Sequence, residues 1–168
     1  MKEYYYNGDL RIEAEFLNGK INGKLKKYYN SGKLKFEGEF LNNERNGKVK
    51  EFYENGDLKF EGEYLKGETN GKIKEYYENN KLKFHGEYKK ERRDGKGVEY
   101  NENGIKIFEG IYSKGKIWNG IGKEYFNNEL IFEGEYLHGL KWNGKGKEFS
   151  DNGYLIFEGK YFNGKRWN

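Results

Sequence analysis

The sequence predicts an all-β fold: an elongated, single-layer antiparallel sheet of tandem β-hairpin repeats with a 24-residue period. Three observations predict it. The segment Phe60-Glu61-Gly62-Glu63-Tyr64 recurs along nearly the whole chain. Asn-Gly and other glycine-marked turns separate segments in which apolar and polar residues alternate, which is typical of hairpins. Helices are disfavoured because the chain has one alanine, no helical spacing of apolar residues and 25 glycines.

One glycine marks the repeat, between the two acidic residues of the recurring segment. It stands at Gly38, Gly62, Gly86, Gly110, Gly134 and Gly159, with Ala14 in the first copy. Periods of roughly 20–50 residues are typical of repeat architectures. We therefore predict one repeat domain over residues 1–168, with about seven hairpin units.

The Asn55-Gly56 pair predicts a two-residue type I′ turn and with it a register. Val49 is then opposite Gly62, and Lys50 is opposite Glu61. Directly opposed residues share a face. One face is therefore expected to collect the apolar residues around the glycines, and the other Lys–Glu pairs. The same count predicts the pairs Tyr53–Leu58, Glu51–Phe60, Gly47–Tyr64, Phe52–Lys59 and Lys48–Glu63.

Two further local features are interpreted from the sequence. Gly62 is expected either because a side chain there would collide with the rings of Phe60 and Tyr64 or of neighbouring repeats, or because it forms a β-bulge. The second turn of the repeat, over residues 65–70, also contains glycine and asparagine and is expected to be the longer one.

From about residue 95 the chain becomes more apolar. Isoleucine replaces three lysines of the charged face, at Ile107, Ile131 and Ile156, and Val98 and Ile121 join them. Either the sheet curls so that this half packs on itself, or the surface meets another chain.

An extra residue also appears between the paired glycines of this half, and with it come three tryptophans at repeat spacing: Trp118, Trp142 and Trp167. They are expected to form a row along one edge of the sheet. The row is either a platform for a ligand or partner, or a set of turn fillers that stack on the next repeat.

Composition excludes several classes of site. The 32 basic and 28 acidic residues are interleaved, which is typical of a solvated surface with many ion pairs. With no cysteine there is no disulfide, thiolate metal site or thiol nucleophile. Residues 1–4 do not resemble a secretory signal, which favours a cytoplasmic location. Both ends of the chain fall within a repeat, and open sheet edges can pair with another copy.

No residue set points to catalysis, a cofactor or a metal. His85 replaces a glutamate of the repeat, and His138 lies in a turn. Glu61 and Glu63 share a face at ~7 Å, a spacing that a glycosidase uses, but they recur opposite lysines and are interpreted as structural. Nucleic-acid binding is not expected, because the matching carboxylates repel phosphate.

The string Phe-Glu-Gly-Glu-Tyr-x-x-Gly-x-x-x-Gly-Lys resembles the MORN repeat, over roughly residues 4 to 168. It is most similar to the variant MORN repeats of bacterial proteins, many of which are described as antitoxin components. The resemblance implies an elongated sheet of hairpins and a role in protein–protein or protein–lipid contact. The chain departs from the common form in its 24-residue step and in carrying the second Gly-x-Gly in only some copies, as at Gly95 and Gly97.

We therefore expect a non-catalytic protein-binding scaffold, with neutralisation of a protein partner, as by an antitoxin or immunity protein, as the specific hypothesis. The alternative is a peripheral module that binds membrane phospholipid through its lysines. The expected contact residues are Phe60, Tyr64, Phe84, Tyr88, Phe132, Tyr136, Trp118, Trp142 and Trp167.

Overall fold

The computed structural model describes residues 1–167, which form one antiparallel sheet of fifteen strands in chain order. The strands are β1 Lys2–Tyr4, β2 Leu10–Leu17, β3 Lys20–Tyr28, β4 Leu34–Leu41, β5 Glu44–Phe52, β6 Leu58–Leu65, β7 Glu68–Tyr76, β8 Leu82–Lys89, β9 Arg92–Tyr100, β10 Lys106–Ser113, β11 Lys116–Phe126, β12 Glu129–Leu137, β13 Leu140–Phe149, β14 Leu155–Phe162 and β15 Lys165–Trp167. The predicted all-β, single-sheet fold of hairpin repeats is confirmed. Within the described residues there is no helix suited to crossing a membrane.

The register of β5 and β6 confirms most of the predicted pairs. Val49 is opposite Gly62 and Lys50 is opposite Glu61. The predicted pairs Gly47–Tyr64, Lys48–Glu63 and Glu51–Phe60 are also present. We call the side with Phe60, Gly62 and Tyr64 the aromatic face, and the side with Lys48, Lys50, Glu61 and Glu63 the charged face.

The turn between β5 and β6 differs from the prediction. The Tyr53 amide donates to the Asp57 carbonyl at 2.8 Å, and the Gly56 amide donates to the Tyr53 carbonyl at 3.0 Å. Gly56 has a φ of 101°, whereas Asn55 has no positive φ. The loop therefore has three residues and ends on a glycine bulge, and the predicted two-residue turn is wrong. The added residue makes Phe52 pair with Leu58, so the predicted pairs Tyr53–Leu58 and Phe52–Lys59 are wrong too.

The second turn of the repeat is the tight one. Leu65 pairs with Glu68 across Lys66-Gly67, whose φ values are 50° and 81°. Positive φ at both central residues defines a type I′ turn, so the longer loop predicted for residues 65–70 is wrong. Most copies place glycine or asparagine at the second position, but Lys90-Glu91 adopts φ values of 51° and 61° without either.

The core lies on the aromatic face in two clusters with different packing. Ala14, Leu25, Phe36, Val49 and Tyr64 form the N-terminal cluster. Phe84, Phe108, Tyr112, Phe132, Tyr136, Phe157 and Tyr161 form the C-terminal cluster. In the first half an aliphatic side chain such as Val49 covers the repeat glycine. In the second half a glycine such as Gly122 takes that position, and the Tyr136 ring packs over it.

The steric interpretation of the repeat glycines is confirmed, with different neighbours in each half. A Cβ on Gly62 would overlap the end of the Ile73 side chain and lie 3.4 Å from the Phe60 ring. A Cβ on Gly110 would instead overlap backbone, with the Gly120 Cα 2.6 Å away. The positive-φ bulge glycines belong to the second series, for example Gly47 at 114°.

A ladder of tyrosines ties successive hairpins together along the three-residue turns. The Tyr53 hydroxyl donates to the Tyr76 carbonyl at 2.7 Å, and Tyr77 repeats this with the Tyr100 carbonyl at 2.8 Å. Tyr5 and Tyr29 make the same bond in the first two repeats. This ladder was not predicted from the sequence, although its 24-residue spacing is visible there.

Every strand makes its extensive contacts with its sequence neighbours. The C-terminal half therefore does not pack back on itself, and that alternative is wrong. The other alternative, that its apolar surface meets another chain, stays a prediction.

Candidate functional site

The structure buries four of the nine aromatic side chains that were predicted to contact a partner. Phe84 and Phe132 are 0% and 1% exposed, and Tyr64 and Tyr136 are 8% exposed. Phe60 and Tyr88 are half-buried. A ring without exposed surface cannot touch a partner in this conformation, so Phe84 and Phe132 act as core residues.

Polar side chains cover these rings as a second layer. The Arg93 guanidinium lies 4.0 Å from the centroid of the Phe84 ring. It forms ion pairs with Glu75 at 3.2 Å and with Glu99 at 2.8 Å. Burial opposes its charge, but the hydrogen bonds to these two carboxylates outweigh burial and raise the pKa of Arg93. In other repeats the covering cations are Arg45, Lys141 and Arg166.

A row of carboxylates on the aromatic face accepts hydrogen bonds from the core tyrosines. The Tyr112 hydroxyl donates to Glu99 at 2.8 Å, and the Tyr136 hydroxyl donates to Glu124 at 2.6 Å. Burial, together with the neighbouring carboxylate, raises the pKa of both tyrosines. The sequence placed a glutamate opposite phenylalanine in each hairpin, but it did not indicate that the tyrosine four residues after that phenylalanine, on the same strand, is the hydrogen-bond partner of the glutamate.

The three tryptophans lie along the edge that carries the two-residue turns. The Trp118 ring packs against His138 of the following turn, with 5.1 Å between centroids. Trp142 packs over Gly164, where a Cβ would lie 3.2 Å from its ring. Trp142 is half-buried, whereas Trp118 and Trp167 remain 41% and 63% exposed. The turn-filler interpretation is thus seen for Trp118 and Trp142, and exposed ring surface remains along this edge.

The charged face of the N-terminal half has shallow depressions lined by lysine and glutamate. One of about 590 Å³ lies over Gly62 between Lys50 and Lys74. The Lys74 ammonium donates to Glu61 at 3.0 Å, and this hydrogen bond lowers the pKa of Glu61. A general acid needs a raised pKa, so the Glu61 carboxylate is suited to an ion pair and not to proton donation.

The charged face changes character in the C-terminal half. We call its aliphatic residues the apolar patch: Val98, Ile107, Ile111, Ile121, Ile131 and Ile156. Ile121 and Ile156 are 65% and 56% exposed, and the other four are half-buried. They stand where the first repeats carry lysine or glutamate, so the patch is local to this half.

The remaining candidates for chemistry have structural surroundings. The His85 ring stacks on Tyr100 with 6.0 Å between centroids. In the described part of the chain no group of three or more histidine, cysteine, aspartate or glutamate side chains is placed to hold a metal ion.

Comparison with known proteins agrees with this repeat geometry. The family model for the MORN repeat variant matches four tandem segments: residues 1–18, 21–42, 45–66 and 69–90. All four precede the inserted residue and the tryptophan row. No curated protein matches the chain. MORN repeats generally form non-enzymatic repeat scaffolds. The chain, half of which is matched by these segments, belongs to the MORN repeat variant family.

Proposed function

We propose that this chain is a non-catalytic, protein-binding scaffold whose contact surface is the apolar patch together with the exposed part of the tryptophan edge. The observation that carries the proposal is the exposure of Ile121 and Ile156 on a face that is otherwise charged. The mean hydropathy of the chain is −1.21, so exposed isoleucines on this face are unusual for its composition. Contiguous exposed apolar surface commonly marks a contact site.

The predicted aromatic residues support this surface from behind. Phe84 and Phe132 are core residues of the same sheet, and their rings hold β8 and β12 in place beneath the opposite face. Trp118 and Trp167 offer exposed aromatic area at the edge. Tryptophan is enriched among the residues that dominate binding energy.

The specific form of the proposal is neutralisation of a protein partner, as an antitoxin or immunity protein does. Hydrogen bonds, ion pairs and ring contacts link successive hairpins, so the sheet presents its patch with little ordering on binding. A pre-organised surface loses less conformational entropy on association. To neutralise a partner in this way, the scaffold only has to cover the partner's surface, and no reacting group is needed.

The test is affinity capture from the native host with the full chain, followed by purification of the captured protein and calorimetric titration. The variant Ile121→Asp should weaken binding by about tenfold or more, since burying an unpaired charge opposes association. Leu41→Asp is the matched control, because Leu41 is also an exposed apolar residue, at 47%, but lies in the N-terminal half.

The same partner tests the neutralisation hypothesis. If it is toxic when expressed alone, coexpression of the wild-type chain should restore growth and Ile121→Asp should not. Equal binding by wild type and Ile121→Asp would contradict the assigned surface. A partner without toxicity would contradict neutralisation alone.

Binding to anionic membrane is the second candidate, and the lysines around the N-terminal depressions favour it. Lys48, Lys50, Lys72 and Lys74 line the depression over Gly62, together with Glu61 and Glu63. Co-sedimentation with phosphatidylserine vesicles, with phosphatidylcholine vesicles as the control, separates the two candidates. Strong binding that salt abolishes would favour the membrane.

A further inference from the structure

Four aliphatic side chains surround Glu109 on the charged face. Val98 and Ile121 are its cross-strand neighbours on β9 and β11. Ile107 and Ile111 lie two residues before and after it on β10. Directly opposed residues and residues two apart on a strand share a face, at about 5 to 7 Å. Glu109 is therefore a single carboxylate at the centre of an aliphatic ring, and we call these five residues the Glu109 ring.

The equivalent glutamate of other hairpins has lysine on both sides. Glu133, in the next hairpin, is opposite Lys123 on β11 and Lys145 on β13. Glu61 is likewise opposite Lys50 and Lys74. At Glu109 both cross-strand lysines are replaced by aliphatic residues, while the carboxylate itself is kept.

Glu109 can exchange its present ion-pair partner, Lys106, for another cation. The Lys106 ammonium donates to it at 2.6 Å from three residues earlier on the same strand. Both side chains are more than half exposed, and an exposed ion pair of this kind contributes little to stability because solvent screens it. The hydrogen bond from Lys106 lowers the pKa of Glu109, so the carboxylate is ionised at neutral pH.

We infer that the Glu109 ring binds an arginine side chain that a partner protein presents from an apolar surface. A partner that covers the four aliphatic residues excludes water around Glu109 and strengthens its attraction to a cation. A charged centre enclosed by water-excluding contacts is the usual anatomy of a binding hot spot. Arginine fits better than lysine because its planar guanidinium is weakly hydrated and can form two bonds with one carboxylate.

This inference rests on the proposed function, and a small probe tests it without the natural partner. The probe is the capped tripeptide Leu-Arg-Leu, and the control peptide is Leu-Gln-Leu. Binding is followed by NMR of isotope-labelled isoleucine methyl groups, because Ile107, Ile111 and Ile121 report directly on the ring. We expect the arginine peptide to shift these three methyl signals and the neutral peptide to bind roughly threefold more weakly or worse.

Matched variants assign the effect to one carboxylate. Glu109→Gln should weaken binding of the arginine peptide by about the same factor. Glu133→Gln is the control at the same repeat position, between two lysines, and should leave the affinity for the arginine peptide unchanged. Equal binding of both peptides would overturn the inference, and so would shifts confined to other isoleucines. Shifts of the ring methyls with protein concentration alone would also overturn it, in favour of a second copy on this face.

The two proposals fail in different ways. A captured partner that is sensitive to Ile121→Asp but indifferent to Glu109→Gln would overturn the arginine inference and leave the scaffold proposal standing. The arginine peptide could bind as expected while capture yields no partner whose binding depends on the apolar patch. The scaffold proposal then fails, but the preference of the Glu109 ring for arginine stands.

Discussion

Arg93 lies with its guanidinium 4.0 Å from the centroid of the Phe84 ring, and Phe84 is 0% exposed. The guanidinium therefore covers the ring in this single-layer sheet. In most domains a second layer of secondary structure covers the core residues. Its two carboxylate partners are Glu75 on β7, two strands away, and Glu99 on β9 itself. The arrangement buries aromatic rings without a helix or a second sheet.

Replacing Arg93 by alanine should therefore be costly. Arg93→Ala leaves Glu75 and Glu99 partly buried without their cation and exposes the Phe84 ring. We expect the free energy of unfolding to fall by about 3 kcal/mol, the lower end for a broken buried ion pair. Urea unfolding followed by tyrosine fluorescence measures this. Arg92→Ala is the control, because Arg92 is exposed, and it should change stability by less than about 0.5 kcal/mol.

The repeat glycines should differ in their tolerance of alanine. At Gly62 the added Cβ meets the flexible end of Ile73, so Gly62→Ala should cost ~1–3 kcal/mol. At Gly110 it meets the Asn119 carbonyl and the Gly120 Cα, which cannot move alone, so Gly110→Ala should cost more. Adding Ile73→Val should recover part of the loss at Gly62. Equal losses at Gly62 and Gly110 in urea unfolding would contradict this account.

A substitution in the Lys90-Glu91 turn should increase the stability of the protein. Glu91 has a φ of 61°, and a left-handed conformation costs a residue other than glycine roughly 1–2 kcal/mol. Glu91→Gly should therefore raise the free energy of unfolding by about 0.5–1 kcal/mol, since the entropy cost of glycine offsets part of the relief. Thermal unfolding monitored by circular dichroism measures it. Glu78→Gly, at an exposed turn residue without positive φ, should lower stability instead.

The core tyrosines should make the protein sensitive to alkali. The folded state raises the pKa of Tyr112 and Tyr136 above the ordinary value of 10.0. Above that pH the unfolded chain releases these protons while the folded chain keeps them, so the unfolded state binds fewer protons and stability falls as pH rises. This stabilisation is fully present below pH ~10 and is lost through the folded pKa values.

Urea unfolding at a series of pH values from 8 to about 11 tests the alkaline sensitivity. Tyr112→Phe should make the fall in stability with pH less steep, because phenylalanine has no hydroxyl proton to release. Tyr6→Phe should leave the decline unchanged, since Tyr6 is fully exposed. A decline of the same slope in Tyr112→Phe would show that the sensitivity arises elsewhere.

Only part of the candidate site could be predicted from the sequence. The alternation of lysine and glutamate opposite each other was visible as a pattern, and so was its loss near Val98 and Ile121. The exposure of Ile121 could not be anticipated, because it depends on whether the C-terminal half packs on itself. The burial of Phe84 depends on Arg93 reaching across from β9, a contact between side chains that no spacing rule specifies.

The sequence by itself determined the repeat, the strand order and the two faces, because a period-two pattern with glycine-marked turns favours the register that places lysines such as Lys50 opposite glutamates such as Glu61. It did not determine which turn was tight, since Asn55-Gly56 fits both a two-residue turn and a three-residue turn with a bulge. In the folded sheet the three-residue turn forms, and the Tyr53 hydroxyl beside it bonds the Tyr76 carbonyl of the next repeat. Contacts between repeats, not the local residues alone, set where rings are buried and where carboxylates such as Glu109 stay open to a partner.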